Sequence, residues 1–329
     1  MPDHSLLCIV LLLVLGGEFV NGWTDAPNAI ATVVSTRVLT PYRALAMASV
    51  LNFLGTLSGV AVAETIGRGI VQTEAVTLYS IAAAAVSILI WSIFAAYYGL
   101  PTSKTHELVA GLTGAALATS GTHVLIPAGL EKVGLGLVFS TVLGFAGGFC
   151  LMVIILWVFR RSNPGKVNPL FRVLQVFSSG FMAFSHGSND GQKFMGIFAL
   201  ALVLGGVMNE FHIDLWVKIV CAIVMAIGTA TGGWRIVKTM GIRMTKLEPV
   251  HGFAAETAAA TVIQIATHLG VPLSTTHTIS TAIIGVGATR RLSAVRWGVT
   301  MEIVTAWILT FPICGLIAFA VMKIVMLLT

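Results

Sequence analysis

Two short motifs place an aspartate inside long apolar runs. Residues 22–25 are GWTD and residues 187–190 are GSND, so Asp25 and Asp190 stand at corresponding positions. A charged side chain at the bilayer centre costs roughly 2.5–3.5 kcal/mol on insertion scales, which makes it a functional site by default. A carboxylate there can hold a cation or exchange a proton. Because the motif occurs twice, the pattern is typical of a transporter built from repeats.

A second pair of motifs is rich in hydroxyl groups. Residues 101–106 are PTSKTH and residues 272–277 are PLSTTH. Proline followed by Ser and Thr predicts the start of a helix, whose first amide N–H groups have no partner. These amides and the nearby hydroxyls form a neutral, polar nest that suits an oxyanion. The hydroxyls belong to Ser103, Thr105, Ser274, Thr275 and Thr276.

Each feature of this second pair also has a simpler interpretation. Ordinary Ser/Thr capping would explain a single copy, but the duplication at membrane depth favours the anion site. His106 and His277 could cap a helix, donate to an anion or bond a neighbouring helix.

Carboxylates beside an anion need an explanation of their own. Asp25 and Asp190 could bind a cotransported cation, or they could accept protons that the anion carries. Phosphate at neutral pH still has hydrogen to donate, whereas sulfate has none. The combination therefore favours phosphate over sulfate.

The composition is that of a polytopic membrane protein. Hydrophobic residues make up 57% of the chain, charged residues 10%, and the mean hydropathy is +0.94. The net charge of +6 does not indicate nucleic-acid binding, because the basic residues fall in short loops between apolar runs. The four cysteines are scattered singly and are interpreted as small hydrophobic residues.

The apolar runs predict an all-α membrane protein of about ten transmembrane segments in two halves. A first repeat, residues 1–160, is joined to a second, residues 170–329, by a polar linker at 161–169. The two segments of 103–120 and 274–289 are short, so re-entrant hairpins are an alternative to full crossings. The predicted runs are 5–36, 42–63, 75–98, 103–120 and 132–159, then 170–206, 215–234, 251–269, 274–289 and 298–328.

The first run of each half is too long for one straight crossing. We expect discontinuous helices interrupted at 22–28 and 187–193, where Asp25, Asn189 and Asp190 are favoured N-cap types. Placing the linker in the cytoplasm puts most Lys and Arg residues inside and both termini outside. Five crossings per half then make the repeats inverted. Residues 5–17 lack the basic flank of a cleaved signal and are interpreted as part of the first span.

The motif pairs, with HGFAAETAAA at 251–260, resemble the inorganic phosphate transporter (Pit) family over nearly the whole chain. The resemblance implies phosphate uptake driven by a sodium or proton gradient, an inverted-repeat helical fold and a homodimer. It assigns phosphate contacts to Ser103, Thr105, Ser274, Thr275 and Thr276, with Thr24 and Asn189 as further candidates. It assigns the coupling cation to Asp25, Asp190 and Asn28.

Two departures from the family pattern bear on the coupling ion. Thr24 stands where the family usually has Asn, and Lys193 stands where sodium-coupled members usually have Asn. An ammonium beside Asp190 could neutralise it and take the place of a cation, so protons are favoured. Sodium is the alternative, with Asp25 and Asn28 as its ligands.

Three further polar residues fall within predicted spans. Glu256 is a candidate proton carrier, or it pairs with Gln264 or a hydroxyl across a helix interface. Asn52 and Gln264 are interpreted as interhelical hydrogen-bonding residues.

The sequence thus predicts a secondary active symporter that imports inorganic phosphate across the plasma (inner) membrane by alternating access around a midplane site. A sulfate permease of the same fold and a channel are alternatives. A remote one is an intramembrane serine hydrolase using Ser103 with His106, or Ser274 with His277. We expect no enzyme activity, no cofactor and no nucleic acid. The expected partners are phosphate or a metal–phosphate complex, membrane lipid, a second copy of the chain, and a cytoplasmic regulator at the basic loop 235–246.

Overall fold

The structure is a computed structural model that describes residues 4–72 and 75–328. Helices account for nearly all of this part of the chain, with short 3-10 turns at Thr122–Val124 and Leu292–Ala294 and π-helical turns at Gly187–Gly191 and Thr239–Arg243. The helices are α1 His4–Ser35, α2 Pro41–Leu57, α3 Ala61–Gly69, α4 Leu78–Tyr98, α5 Lys104–Ser120, α6 Pro127–Val158, α7 Pro164–His186, α8 Gln192–Leu204, α9 Leu215–Thr231, α10 Trp234–Lys238, α11 Pro249–His268, α12 Thr275–Ala288 and α13 Trp297–Leu328.

Several helices have the length and apolar character of membrane spans. Within the described residues, α1, α4, α6 and α13 meet that test, and the bent pairs α2 with α3 and α9 with α10 raise the number to as many as six. On α6 and α13 many large apolar side chains face outward, as lipid contact requires. The chain is therefore an all-helical protein of the integral membrane type. The ten crossings predicted from sequence stay a prediction.

Helix packing in one half matches packing in the other. The hairpin of α4 and α5 has its counterpart in the hairpin of α11 and α12. Helix α5 packs on α13, and α12 packs correspondingly on α6. Helices near the start of each half pack against those of the other half, because α1 packs along α9 and α2 packs along α7. This packing places residues 22–28 and 187–193 at the centre of the molecule.

The motif glycines allow two of these close approaches. A Cβ atom at Gly22 would lie 2.9 Å from the backbone nitrogen of Thr229, and one at Gly187 would lie 2.8 Å from the Cα of Asn52. Real Cβ atoms do not come that close, so only glycine lets these backbones touch.

The predicted interruption at 22–28 is wrong. Helix α1 runs unbroken from His4 to Ser35 with Pro27 inside it, and Asp25 does not cap a helix. The stretch is packed against α9 and α10, and neighbouring helices allow proline to remain inside a membrane helix. In the second half the α-helical hydrogen-bonding pattern is interrupted at Gly187–Gly191. These residues form a π-helical turn, so the chain is not unwound there. Asn189 and Asp190 lie within that turn instead of capping a helix.

The bends lie elsewhere than expected. The run 42–63 was predicted to be a single span, yet it contains the break between α2 and α3, which meet at 67°. The run 215–234 contains all of α9, and the 61° bend to the helical segment Trp234–Arg243 lies at its end. Gly232, with a φ of 66°, stands at the second bend, in a conformation that glycine adopts without strain.

Two polar segments are more ordered than the sequence suggested. The basic loop 235–246, interpreted as solvated surface, forms α10 and a π-helical turn, and Ile236, Val237 and Met240 are buried there. Helix α7 begins at Pro164, inside the predicted linker 161–169.

Candidate functional site

The site is built around the first turns of α5 and α12. As the proline motifs predict, a helix begins just after each one, with Ser103 and Ser274 as N-caps. The Ser103 Oγ accepts from the backbone N–H of His106 at 3.3 Å, and the Ser274 Oγ accepts from that of His277 at 3.2 Å. We call residues 101–106 the first tip and residues 272–277 the second tip.

The two tips touch each other. The Thr105 hydroxyl of the first tip donates to the Leu273 carbonyl of the second at 2.8 Å. Both helix starts, with their unpaired amides and partial positive charge, therefore face one small region.

Asp25 of α1 is held by donors from both halves of the chain. Its Oδ1 accepts from the Thr24 hydroxyl at 3.1 Å, and its Oδ2 accepts from the Asn28 amide at 3.3 Å. The Thr276 hydroxyl also donates to Oδ2, at 3.2 Å, and Asn28 donates to Thr276 at 3.0 Å. The carboxylate is only 3% exposed. The second tip thus reaches the aspartate of the first half.

Asp190 lies next to the same tip. Its Oδ2 accepts from the Thr275 hydroxyl at 3.0 Å, and its Oδ1 accepts from the Lys193 ammonium at 2.6 Å. Because Thr275 and Thr276 are consecutive, one turn of α12 brings the two aspartates together. This is the convergence that the sequence predicted, although the role of these residues stays a prediction.

Lys193 is buried in the site and does not extend to the membrane surface. Besides Asp190, its ammonium donates to the Leu273 carbonyl at 2.8 Å. It therefore occupies a position beside the second carboxylate where a bound cation would otherwise lie.

Lys104 and Glu107 form a second buried ion pair that the sequence analysis missed. The Lys104 Nζ lies 2.9 Å and 3.0 Å from the two oxygens of Glu107, 2.8 Å from the Ser92 Oγ and 3.9 Å from the Asp25 Oδ1. The orientation predicted from the sequence places Lys104 among the cytoplasmic charges, whereas the structure buries its side chain. The spacing of Lys104 and Glu107 in the sequence indicated this pair, because oppositely charged residues three apart on one helix lie on the same face.

His186 is another residue that the sequence analysis missed. The Asn52 amide nitrogen donates to the Thr229 hydroxyl at 3.0 Å, so its oxygen faces His186 Nδ1, also at 3.0 Å. An amide oxygen only accepts, so Nδ1 carries a hydrogen and neutral His186 keeps its lone pair on Nε2. That Nε2 lies 3.6 Å from the Asp190 Oδ2. Ligand atoms of Asp25, His186 and Asp190 all lie within 4.8 Å of one another and could hold a proton or a cation.

The other predicted residues lie at the edge of this cluster. The Asn189 amide donates to the Thr267 hydroxyl at 2.8 Å, toward α11 and away from the aspartates. Glu256 accepts from the hydroxyls of Thr32 and Ser178, which is the interhelical pairing considered from sequence. Gln264 does not contact it and donates to the Ser188 hydroxyl at 2.8 Å.

The histidines of the tips do not act on the neighbouring serines. His106 Nδ1 lies 3.2 Å from the Trp307 carbonyl. The ring of His277 stacks on the Trp307 ring at 3.7 Å, and both its nitrogens lack a hydrogen-bond partner in the described residues. In neither tip does a histidine ring nitrogen bond the serine hydroxyl, which is bonded to the backbone N–H of that histidine, so the geometry gives no support to a serine hydrolase.

Known proteins resemble this chain over nearly its whole length. The chain is 46% identical over 315 residues to the "Probable low-affinity inorganic phosphate transporter" of Rhizobium meliloti (strain 1021), covering 95% of this chain and 94% of the relative. It is 36% identical over 326 residues to the protein of the same description in Bacillus subtilis (strain 168), covering 97% and 98%.

A solved structure described as "The sodium-dependent phosphate transporter" superposes with a TM-score of 0.92 at 26% sequence identity, covering 99% of this chain and all of the other. The model of the phosphate transporter family matches residues 21–318. Family model, relatives and structure cover both motif pairs, and the chain belongs to the phosphate transporter family.

Proposed function

We propose that this protein is a secondary active symporter that imports inorganic phosphate across the plasma membrane with a proton gradient as the driving force. The observation that carries the proposal is the meeting of both tips and both aspartates in one buried cluster. The chain is a transporter and not an enzyme.

The tips supply what a phosphate ion needs. Two helix starts direct their free amides and partial positive charge at one region, and hydroxyls surround it. Phosphate contacts are assigned to Ser103, Thr105, Ser274, Thr275 and Thr276, with Thr24 at the margin. Asn189 is the weakest candidate, because its amide is bonded toward α11. Thr275 and Thr276 already donate to carboxylates, so their hydroxyls are positioned to bond either the anion or an aspartate.

The charges around the aspartates favour a proton over sodium. Lys193 is in direct contact with Asp190, and Lys104 stands 3.9 Å from Asp25. The Lys193 ammonium neutralises Asp190 and repels a metal cation there, and the Lys104 ammonium, although paired with Glu107, also repels a metal cation near Asp25. The structural neighbour is described as sodium-dependent, so sodium at Asp25 and Asn28 is the competing assignment. In the proton mechanism Asp25 and Asp190 exchange the proton, and Glu256 is a more distant candidate carrier.

The architecture suits alternating access. The matched packing of α4, α5 and α6 with α11, α12 and α13 supports two inverted repeats related by a pseudo-twofold axis through the tips. With the linker in the cytoplasm, both termini lie outside. The homodimer, the cytoplasmic regulator at 235–246 and a metal–phosphate cargo remain part of the proposal.

The test is phosphate uptake into proteoliposomes with proton and sodium gradients imposed separately. Accumulation above equilibrium with the proton gradient alone is expected, and it also excludes a channel. Accumulation with the sodium gradient alone would overturn the proton assignment. Competition by sulfate at equal concentration would overturn the choice of phosphate.

A further inference from the structure

The first half carries a charged pair, Lys104 and Glu107, that the second half lacks. When PTSKTH is aligned with PLSTTH, Lys104 corresponds to Thr275 and Glu107 to Thr278. The hydroxyl of Thr275 donates to Asp190 and receives the Asn28 amide at 3.4 Å, so this position faces the site in the second half. The first half has an ammonium group in the equivalent place.

The Lys104 ammonium lies between this site and its own counter-ion. Its three N–H groups are used by the two oxygens of Glu107 and by Ser92, at 2.8 to 3.0 Å. At 3.9 Å, the Asp25 Oδ1 is too far for a good hydrogen bond but is the nearest charge on the site side. The lysine stem is flexible, so its rotation toward Asp25 would bring the ammonium to the side of the site.

Glu107 can release Lys104 without being left unsatisfied. Its Oε1 also accepts from the Thr102 hydroxyl at 2.6 Å, and its Oε2 accepts from the Ser92 hydroxyl. Both donors come from residues that stay in place when the lysine moves. The carboxylate therefore keeps two hydrogen bonds, which limits the cost of separating the buried pair.

We propose that Lys104 binds the transported phosphate directly, and that Glu107 holds its ammonium while the site is empty of anion. This inference rests on the proposed function. A charge-assisted bond from an ammonium to a phosphate oxygen is roughly twice as strong as one from a hydroxyl. The first tip thus contributes a charged contact where the second tip contributes a neutral one.

The test is phosphate binding to purified protein in detergent. Lys104→Thr combined with Glu107→Thr introduces the residues that the second half has at these two positions, and it removes both members of the ion pair together. Its dissociation constant for phosphate is expected to rise roughly ten- to hundredfold, the range for losing one bond to a charged group. The control is Lys132→Thr on α6, whose ammonium bonds Thr65 and should leave binding unchanged. An unchanged constant in a folded double variant overturns the proposal.

A second variant covers the case in which the double variant does not fold. Glu107→Gln keeps Lys104 but weakens its counter-ion, so phosphate is expected to bind more tightly, by up to about tenfold. Unchanged or weaker binding overturns the role of Lys104. Failure of the wild-type protein to bind phosphate is a different result, because it overturns the proposed function itself.

Discussion

If protons drive transport, as proposed, replacing Lys193 by asparagine should make the stability of the protein depend on sodium. Asn28 is the equivalent residue in the first half, where its amide donates to Asp25 at 3.3 Å. Lys193→Asn removes the ammonium that lies 2.6 Å from Asp190 and leaves that buried carboxylate with neutral donors such as the Thr275 hydroxyl. The carbonyl of Leu273 keeps its bond from Thr105.

The magnitude follows from the burial of the pair. Removing one partner of a buried ion pair costs about 3–5 kcal/mol, because the remaining charge is uncompensated. The melting temperature of the variant in sodium-free buffer should fall on the order of 10 °C. A sodium ion that replaces the ammonium restores about 2.7 kcal/mol when its concentration is a hundred times its dissociation constant.

The assay is thermal unfolding of purified protein in detergent, in sodium chloride and in choline chloride of equal strength. The variant should be stabilised by sodium, whereas the wild-type protein should melt at the same temperature in both salts. Lys238→Asn, at an exposed lysine of α10, is the matched control and should behave as wild type. A variant as stable as wild type without sodium would refute the proposal that the Lys193 ammonium takes the place of a bound cation beside Asp190. Equal stabilisation of wild type by sodium would refute the proton assignment.

Further expectations concern affinity, coupling and packing. Ser274→Ala should weaken phosphate affinity by about 0.5–1.5 kcal/mol, the value of one neutral hydrogen bond, and an unchanged half-saturation concentration in uptake would remove this residue from the site. Asp190→Asn should abolish proton-coupled uptake in proteoliposomes, whereas wild-type uptake would count against the carboxylate. Gly187→Ala should lower stability by about 1–3 kcal/mol, because its Cβ would meet the Asn52 backbone at 2.8 Å. Gly298→Ala, where nothing lies within 4 Å, is the control in the same unfolding experiment.

Much of the local structure could be predicted from the sequence. The apolar runs gave helix ends close to those observed, as for α5 at Lys104–Ser120 and α9 starting at Leu215. The proline motifs predicted both helix starts, because a proline and a Ser or Thr cap act within one turn. Helix breaks were harder to predict. Pro27 suggested an interruption that neighbouring helices remove, and the bend at Gly232 was not expected.

The candidate site could likewise be predicted only in part from the sequence. Duplicated motifs at matching spacing indicated Asp25, Asp190 and the hydroxyls of both tips, because an aspartate within an apolar run is costly wherever the chain folds. Their partners could not be found in this way. The sequence left Glu256 compatible with proton transfer and with interhelical bonding, and it could not indicate that the hydroxyls of Thr32 and Ser178 donate to it.

The sequence alone indicated a membrane protein and predicted two related halves and an anion site flanked by acids. Those features follow from composition, from burial cost and from patterns a few residues long. Only the tertiary structure decided that Lys193 pairs with Asp190 while Lys104 stands between Glu107 and Asp25. Charge pairing depends on distances between helices remote in the chain, and electrostatic energy falls with separation in space and not along the sequence.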